Sequence, residues 1–392
     1  MRKSGMALVP RRAVYATMAS QMKGIPGANV SHASFGGTST DVRNVGSEPA
    51  VLPLGFDTTT FRPAELPAGH PPVLLVVVDT EEEFDWSAPF SRANRAVTSI
   101  AGLVPIQRMF VELGVRATYV IDHPVAATAQ SADIVAAFAA DGSAEIGAHL
   151  HPWVTPPDEE PVTAFNSYAG NLEPQLERAK LVELRTAIFR GTGVRPVTFK
   201  AGRYGVARRT PGFIGELGFR VDLSSSPGFN WSGDGGPDFS GGRYPNDPYW
   251  LRGMPDILEI PTTGDYFGPL RLLGEAMTPV DNVLPRREST LVAYLRKIRL
   301  ARRAMLTPEG FQLWELQALT ESLLARGSRV LTLSWHSPSA RPGHTPFVRS
   351  EAELQDFVKT LRAFTTWFAT QHSGRFATAA EVLALIRPAA AR

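Results

Sequence analysis

The sequence predicts an α/β fold in which about seven parallel strands alternate with helices. From Pro72 onward, short apolar runs rich in Val, Ile, Leu and Phe alternate with longer segments of helical period, the pattern typical of βαβ units around a parallel sheet. The predicted strands are residues 73–79, 116–122, 144–149, 197–202, 219–223, 257–261 and 330–335. Because polar residues end these runs, we expect their side chains to meet at the carboxyl-end face, where parallel barrels carry their sites.

The helices between the strands are predicted from apolar periodicity and end signals. The segment at 97–113 places apolar residues on one side and is followed by Gly114, a helix stop signal. Ser350 and Glu353 have the spacing of a capping box and predict a helix start. The predicted helices are residues 97–113, 133–140, 171–190, 350–371 and a last one from about 378.

Bulk composition excludes several classes of protein. The 392 residues carry 40 basic and 38 acidic side chains, a formal charge of +2, so a nucleic-acid partner is not expected. Because the chain has no cysteine, any metal must be held by His, Asp or Glu. No run reaches the roughly 18 uncharged apolar residues of a membrane span, so no transmembrane segment is expected. Oligomeric state is not predicted.

The chain is predicted to form one large domain after an irregular start. Residues 1–70 lack a sustained period and are expected to be disordered or extended, and residues 71–392 form the barrel domain. Long loops are expected at about 229–254 and 264–329. The second contains a basic stretch at 286–303, predicted to form a helix that meets a phosphate or acidic substrate, or simply a solvated face. A cytoplasmic location is expected, with export or peripheral membrane association left open.

Two strand-end motifs contain the candidate metal ligands. Asp79 and Glu81 are two residues apart, so both carboxylates can point into one cleft. His149 and His151 follow another strand at the same spacing. Two imidazoles and one carboxylate, with a position left for water, make up a hydrolytic metal site. Taken singly, the first motif could be a solvated acidic turn and the second a hydrogen-bonded turn.

Three further strand ends carry polar residues. Arg203 lies in a glycine-containing turn, where it could orient a carboxylate, face substrate or remain a surface residue. His336 could protonate a leaving amine if an acid such as Asp222 tunes its pKa; a core histidine satisfied by backbone is the alternative. The residues expected to contact substrate are Trp86, Asp122, Trp153, Tyr204 and Trp335. Packing is the alternative for the tryptophans.

In order, these motifs resemble those of the polysaccharide deacetylase (NodB homology, carbohydrate esterase family 4-like) superfamily. The resemblance rests on the strand-end carboxylates, a His pair in Glu-Ile-Gly-x-His, an Arg-Tyr-Gly turn, an Asp and a final Leu-x-x-His-like strand, over residues 72–388. The strings Asp-Thr-Glu-Glu-Glu-Phe-Asp-Trp, His-Leu-His-Pro-Trp and Ser-Trp-His-Ser-Pro-Ser resemble a bacterial branch linked to lipopolysaccharide and surface-glycan biosynthesis. The implied fold is a distorted parallel (β/α)7 barrel.

The resemblance also implies roles for the metal-site residues. Asp79 matches the catalytic base, and Glu81 with His149 and His151 matches the ligands of a divalent ion, for which zinc is expected. The reverse assignment of the two carboxylates stays open. The usual His-x-x-x-His spacing of the family is contracted here to His-x-His.

For the remaining motifs, the resemblance implies acid–base roles. Arg203 matches the base-orienting arginine, although Tyr204 stands where the family has Pro. Asp222 and His336 match the general-acid pair.

The implied activity is metal-dependent hydrolysis of an N-acyl group, with N-acetyl expected, from a sugar of a surface glycan or its precursor. One alternative is a metal-dependent amidohydrolase that acts on a small non-sugar amide. Another is a non-catalytic carbohydrate-binding or scaffold protein, which the contracted His motif would fit. Metal content separates this last alternative from the two enzymes.

Overall fold

The computed structural model describes residues 54–251, 254–272 and 302–386. These residues form twelve strands: β1 (Phe61–Pro63), β2 (Val73–Thr80), β3 (Ala117–Ile121), β4 (Ala144–Leu150), β5 (Thr198–Ala201), β6 (Val221–Asp222), β7 (Tyr249–Leu251), β8 (Met254–Glu259), β9 (Gly264–Phe267), β10 (Arg302–Met305), β11 (Val330–His336) and β12 (Arg375–Phe376). Each of the seven predicted strands is present, as β2, β3, β4, β5, β6, β8 and β11.

These seven strands form one parallel sheet in the order β8-β6-β5-β4-β3-β2-β11. Each strand lies beside its predecessor in the chain, and the last returns to the first, so the sheet curls. No ladder joins β8 to β11 in the described ranges, but two hydrogen bonds cross the gap: Thr332 N donates to Thr263 Oγ1 at 2.8 Å and Ser334 N donates to the Leu306 carbonyl at 3.1 Å. The predicted parallel (β/α)7 architecture is confirmed, as a distorted barrel.

Both faces of the central strands are buried, which explains their continuous apolar sequence. Strand β2 has all eight residues buried, and alternate side chains belong to two different clusters. The inner cluster contains Val73, Leu75, Val77, Val120, Val221, Leu223, Leu258, Ile260 and Val330. The outer cluster contains Leu74, Val76 and Val78 together with helix residues. Side chains in phase with Val77 therefore point into the barrel.

Eight α-helices are described: α1 (Leu103–Glu112), α2 (His123–Ala127), α3 (Ala129–Ala139), α4 (Pro174–Thr192), α5 (Thr210–Glu216), α6 (Leu313–Leu324), α7 (Glu351–Gln371) and α8 (Ala379–Ile386). The five predicted helices correspond to α1, α3, α4, α7 and α8. Ser350 caps α7 as its sequence pattern predicts, since its hydroxyl accepts a hydrogen bond from Glu353 N. Val382 and Leu383 of α8 pack into the inner cluster, so this helix covers the amino-terminal end of the barrel.

The segments outside the seven parallel strands add edges to the sheet. Strand β7 pairs antiparallel with β8, and β1 pairs antiparallel with β7. Folded structure therefore begins before the predicted boundary at residue 71, while residues 1–53 lie outside the described ranges. Strands β9 and β10 form a separate two-stranded sheet within the predicted long loop.

Most of the predicted basic helix at 286–303 lies outside the described residues. The two arginines that are described lie in β10, where Arg302 forms an ion pair with Glu315 and Arg303 stacks over Phe229, 4.7 Å from the ring centroid. Among the described residues, no helix combines the length and apolarity needed to cross a bilayer.

Candidate active site

The carboxyl ends of β2, β4, β5 and β11 bring the principal candidate residues together. Asp79 pairs across the ladder with His336, and His149 pairs with Lys200. Asp79 is in phase with Val77 and so points into the barrel. Asp79, Glu81, His149 and His151 are all at most 5% exposed. The convergence at one end of the barrel predicted from the sequence is what the structure has.

Glu81, His149 and His151 form a triangle of potential metal ligands. Glu81 Oε2 lies 3.5 Å from His149 Nε2 and 3.4 Å from His151 Nε2. Ligands at about 2.0 to 2.2 Å from a tetrahedral ion are separated by about 3.3 to 3.6 Å, so the spacing fits a zinc-like ion. The other oxygen, Glu81 Oε1, is buried without a hydrogen-bond partner among the described residues, as expected for a carboxylate that needs a cation.

The opposite nitrogen of each imidazole is engaged by the protein, which leaves both Nε2 atoms facing Glu81. His149 Nδ1 lies 3.2 Å from the Lys200 carbonyl, and His151 Nδ1 lies 2.7 Å from Glu82 Oε2. Such partners fix the tautomer and the ring orientation of metal-binding histidines. The shortened His-x-His spacing is therefore compatible with a three-ligand site, because consecutive inward positions at the end of β4 carry the two rings.

The electrostatics of the triangle also favour a cation. Burial, followed by the charges of Glu82 and Asp79, raises the pKa of Glu81 well above its ordinary value. Burial lowers the pKa of His151 to about 4 and also lowers that of His149 well below its ordinary value. Both rings are therefore neutral near pH 7, the form that binds a metal. A bound cation would relieve the carboxylate crowding around Glu81.

The partner of Asp79 is Lys200, not Arg203 as the resemblance implies. Lys200 Nζ lies 2.7 Å from both carboxylate oxygens of Asp79, and both side chains are buried. Burial alone would raise the pKa of Asp79, but the ammonium group of Lys200 and the nearby histidines hold it below its ordinary value. The side chain of Asp79 is therefore ionised at neutral pH.

Arg203 points away from Asp79 because of its backbone conformation. It has a φ of +55° and the next residue, Tyr204, a φ of +60°, so the chain turns sharply at the end of β5. The guanidinium pairs with Asp234 at 2.5 Å and lies over the Tyr168 ring at 4.1 Å. Arg203 therefore braces a strained turn beside the site.

His336 pairs with Glu309 rather than with Asp222. His336 Nδ1 lies 2.7 Å from Glu309 Oε2, and His336 Nε2 faces Asp79 Oδ2 at 3.8 Å. Burial lowers the pKa of His336, but the Glu309 carboxylate and then Asp79 outweigh it and raise the pKa above its ordinary value. With its side chain 28% exposed, His336 is accessible to a substrate.

Asp222 lies on the opposite face of the sheet, so it cannot pair with His336. Its neighbours Val221 and Leu223 belong to the inner cluster, and alternation therefore turns Asp222 outward. There it stands in one cross-strand row with Glu259 of β8 and Tyr249 of β7. Burial raises the pKa of Asp222, and burial together with the charge of Asp222 raises the pKa of Glu259, so this pair retains a proton near neutral pH.

This buried pair predicts a pH-dependent stability. Burial raises the folded-state pKa of Asp222 to about 7. Between about pH 4 and pH 7, the folded state therefore still holds a proton that the unfolded chain has already released. The contribution of this proton to the free energy of unfolding is fully present below about pH 4. It is lost as pH rises through the folded-state pKa, by roughly 1.4 kcal/mol in total for each unit of pKa shift. Asp222→Asn is therefore expected to gain stability over the unsubstituted protein as pH increases from 4 to 8.

Urea unfolding at several pH values measures this difference. Asp133→Asn, on the exposed face of α3, is the matched control and should show a constant difference across the same range. A constant difference for Asp222→Asn as well would contradict the prediction.

The predicted substrate-contacting residues divide into two groups. Trp86 is half-buried and packs edge-on against His336 with ring centroids 5.1 Å apart, and half-buried Tyr204 lies beside Lys200, 5.4 Å from its Nζ. Trp153 is buried and stacks on His151, while Trp335 packs outward against Phe357. Only the first two border the cleft.

Asp122, also predicted to contact substrate, has a backbone role. It is fully buried; its Oδ1 caps α2 by accepting from Val125 N at 2.8 Å, and its Oδ2 accepts from Glu82 N at 2.6 Å. Asp122 therefore anchors the backbone next to Glu81, a potential metal ligand.

Sequence reasoning missed three functional side chains: Lys200, Glu82 and Glu309. Lys200 could have been found, because a lysine in phase with the inward face of an apolar strand requires a buried counter-charge. Glu82 follows the ligand Glu81 directly, but its reach to His151 depends on strand register. Glu309 lies in a predicted long loop, and no local pattern points to its contact with His336.

No family model and no curated protein matches the sequence. Solved structures do match it. One, named as a candidate polysaccharide deacetylase from Mycobacterium smegmatis, is 17% identical with a TM-score of 0.48 and covers 85% of this chain and 95% of its own. PuuE allantoinase is 16% identical with a TM-score of 0.46, covering 81% and 90%. A peptidoglycan N-acetylglucosamine deacetylase is 12% identical with a TM-score of 0.40, covering 81% and 90%. The family that the sequence motifs resemble is thus also named among the solved structures similar to this chain.

Proposed function

We propose that this protein is a metal-dependent hydrolase that removes an N-acyl group, with N-acetyl expected, from a sugar of a surface glycan or its precursor. One observation carries the proposal. Two further pairs lie beside the triangle of Glu81, His149 and His151. In one pair, Lys200 holds the base Asp79 as a carboxylate. In the other, Glu309 raises the pKa of the His336 imidazole. A ligand triangle beside a separate base and acid supplies the groups that metal-dependent amide hydrolysis uses.

Each side chain then has a specific task in the reaction. A divalent ion held by the triangle would polarise the acyl carbonyl and lower the pKa of water. Asp79 accepts the proton of the attacking water, because Lys200 keeps its carboxylate ionised. His336 donates a proton to the departing amine nitrogen, because Glu309 favours its charged form. The 3.8 Å between His336 Nε2 and Asp79 Oδ2 allows both groups to face one reacting carbon.

The buried charges argue against a non-catalytic scaffold. Burying ionised groups costs free energy unless each is paired, and this cleft buries the ion pair of Asp79 and Lys200. A carbohydrate-binding protein has no need of these groups. The half-buried rings of Trp86 and Tyr204 that border the cleft suit the apolar face of a sugar.

An acetate-release screen tests the function. The purified protein, supplied with Zn²⁺, is incubated with N-acetylated monosaccharides, nucleotide sugars and acetylated oligosaccharides, and a second set contains small ureides and cyclic amides. Acetate release from a sugar supports the proposal. Hydrolysis confined to the second set would assign the protein to the amidohydrolase alternative, and loss of all turnover on chelation is expected in either case.

Replacing Lys200 by methionine is expected to shift the acidic limb of the kcat/KM profile to higher pH. Without the ammonium group, only the nearby histidines oppose the effect of burial, so the pKa of Asp79 rises and the base becomes protonated at higher pH. At pH values on the acidic limb, the rate should fall by up to about tenfold for each unit by which the pKa of Asp79 rises. The shift is measured from the pH dependence of kcat/KM for a sugar substrate identified in the screen.

Arg203→Met is the matched control, because it removes a cation three residues along the chain that pairs with Asp234 and not with Asp79. It should leave the acidic limb in place, whatever it does to KM. An unshifted limb in Lys200→Met would exclude Lys200 from this role, and a shift in Arg203→Met alone would return the base-orienting role to Arg203.

A further inference from the structure

Lys180 is a fully buried lysine that the mechanism above does not use. It lies midway along α4 and has no exposed surface. Its Nζ donates to three backbone carbonyls, those of Pro152 at 3.0 Å, Thr155 at 2.6 Å and Pro157 at 2.7 Å. Lysine is almost never fully buried unless its charge is paired; here Glu160 Oε2 lies 3.1 Å from the ammonium group. All four contacts lie within residues 152–160, the loop that follows β4.

This loop is bonded directly to a proposed metal ligand. The carbonyl of His151 accepts hydrogen bonds from Val154 N at 3.3 Å and Thr155 N at 3.1 Å, closing a turn at Pro152–Val154. Trp153 in this turn stacks on the His151 ring with centroids 4.3 Å apart. Its indole Nε1 also donates to Glu82 at 2.7 Å, the residue that holds His151 Nδ1. The turn therefore holds the His151 ring in two ways: Trp153 packs on its face, and Glu82, bonded to Trp153, holds its Nδ1.

We propose that Lys180 is a positioning residue for the metal centre: its ammonium group gathers the carbonyls of residues 152–157 into the turn that presents His151 to the ion. The inference rests on the proposed function, because it assumes that His151 is a ligand. The four contacts of its Nζ described above are all with the loop, so Lys180 acts through the loop backbone and Trp153. Among the described contacts of this loop, no other cation binds these three carbonyl oxygens. Removal of the ammonium group therefore leaves the three oxygens repelling one another.

Metal affinity measured by competition with a chelating dye tests the role of Lys180. Lys180→Met keeps most of the length of the side chain and removes the charge. Its Zn²⁺ affinity should fall about tenfold, the low end of the roughly 10- to 100-fold loss seen when outer-shell partners of ligands are removed. Leu184→Ala is the control for stability, because Leu184 is fully buried one turn along α4 and its apolar side chain donates no hydrogen bond to the loop. It should destabilise the fold and retain the affinity.

The outcomes separate the inference from the function on which it rests. If the unsubstituted protein binds no Zn²⁺, the proposed function fails first. If that protein binds but Lys180→Met binds equally well, or no worse than Leu184→Ala, the positioning role is overturned.

Ammonium rescue supplies a readout that a purely structural role would not move. In Lys180→Ala, ammonium chloride should restore most of the Zn²⁺ affinity, because the ion can occupy the space among the carbonyls. Tetramethylammonium chloride at equal ionic strength should not, since it has no N–H to donate. Both salts are applied to the unsubstituted protein at the same pH to correct for zinc complexation. An affinity loss that neither salt changes would assign it to packing and overturn the role of the ammonium group.

Discussion

Replacing both His149 and His151 by alanine is expected to abolish metal binding and, with it, all turnover. Each ring supplies one Nε2 to the triangle, and Glu81 alone cannot complete a site for a zinc-like ion. The loss of affinity should exceed the roughly 10- to 100-fold typical of removing an outer-shell partner. Elemental analysis of protein exposed to Zn²⁺ and then desalted measures the effect, with near-stoichiometric metal expected before the substitution.

A third histidine offers the matched control. His123 lies at the start of α2, beside Glu183 at 3.6 Å, and belongs to neither potential ligand group of the described residues. His123→Ala should keep its metal, and circular dichroism should show all the variants folded. Near-stoichiometric metal in the double variant would remove these histidines from the metal site and leave the proposed mechanism without its centre.

The sequence could predict the sheet because each strand carries its own signal. Apolar runs of fixed length between helices locate the seven strands, and period-two alternation then orients each side chain. This is why Asp79, Glu81, His149 and His151 were expected in one cleft. Alternation also contains the correction for Asp222: its neighbours Val221 and Leu223 are apolar and face inward, so Asp222 had to face outward.

The pairings inside the cleft could not be predicted in the same way. Which cation reaches Asp79 depends on register, since Lys200 lies in β5 and Arg203 lies in the turn that follows. It also depends on the positive φ at Arg203, which turns that side chain away. The contact of Glu309 with His336 joins an irregular segment to a strand end. Such contacts arise only when the tertiary structure forms, and no sequence period encodes them.

His336→Ala is expected to lower turnover by about 10²- to 10⁴-fold while the metal content stays near one per chain. An amine is a poor leaving group unless it is protonated, and His336 is a partly exposed imidazole with a raised pKa at this end of the barrel. The rate loss is that typical of removing a general acid, roughly 2.7 to 5.4 kcal/mol of barrier at about 1.36 kcal/mol per tenfold. Rate and metal content are measured on the same preparation, with circular dichroism to verify folding.

Glu309→Gln distinguishes an acid from a residue that merely fills space. It keeps the hydrogen-bonding shape beside His336 Nδ1 but removes the charge that raises the pKa of His336, so the basic limb of the rate profile should move to lower pH while turnover at pH 5 to 6 changes little. The basic limb moves in this direction because the protonated ring is the active form, and a ring with a lower pKa loses its proton at lower pH. Near-native turnover in His336→Ala, or a basic limb unmoved by Glu309→Gln, would exclude His336 as the proton donor, and loss of metal from His336→Ala would make it a ligand instead.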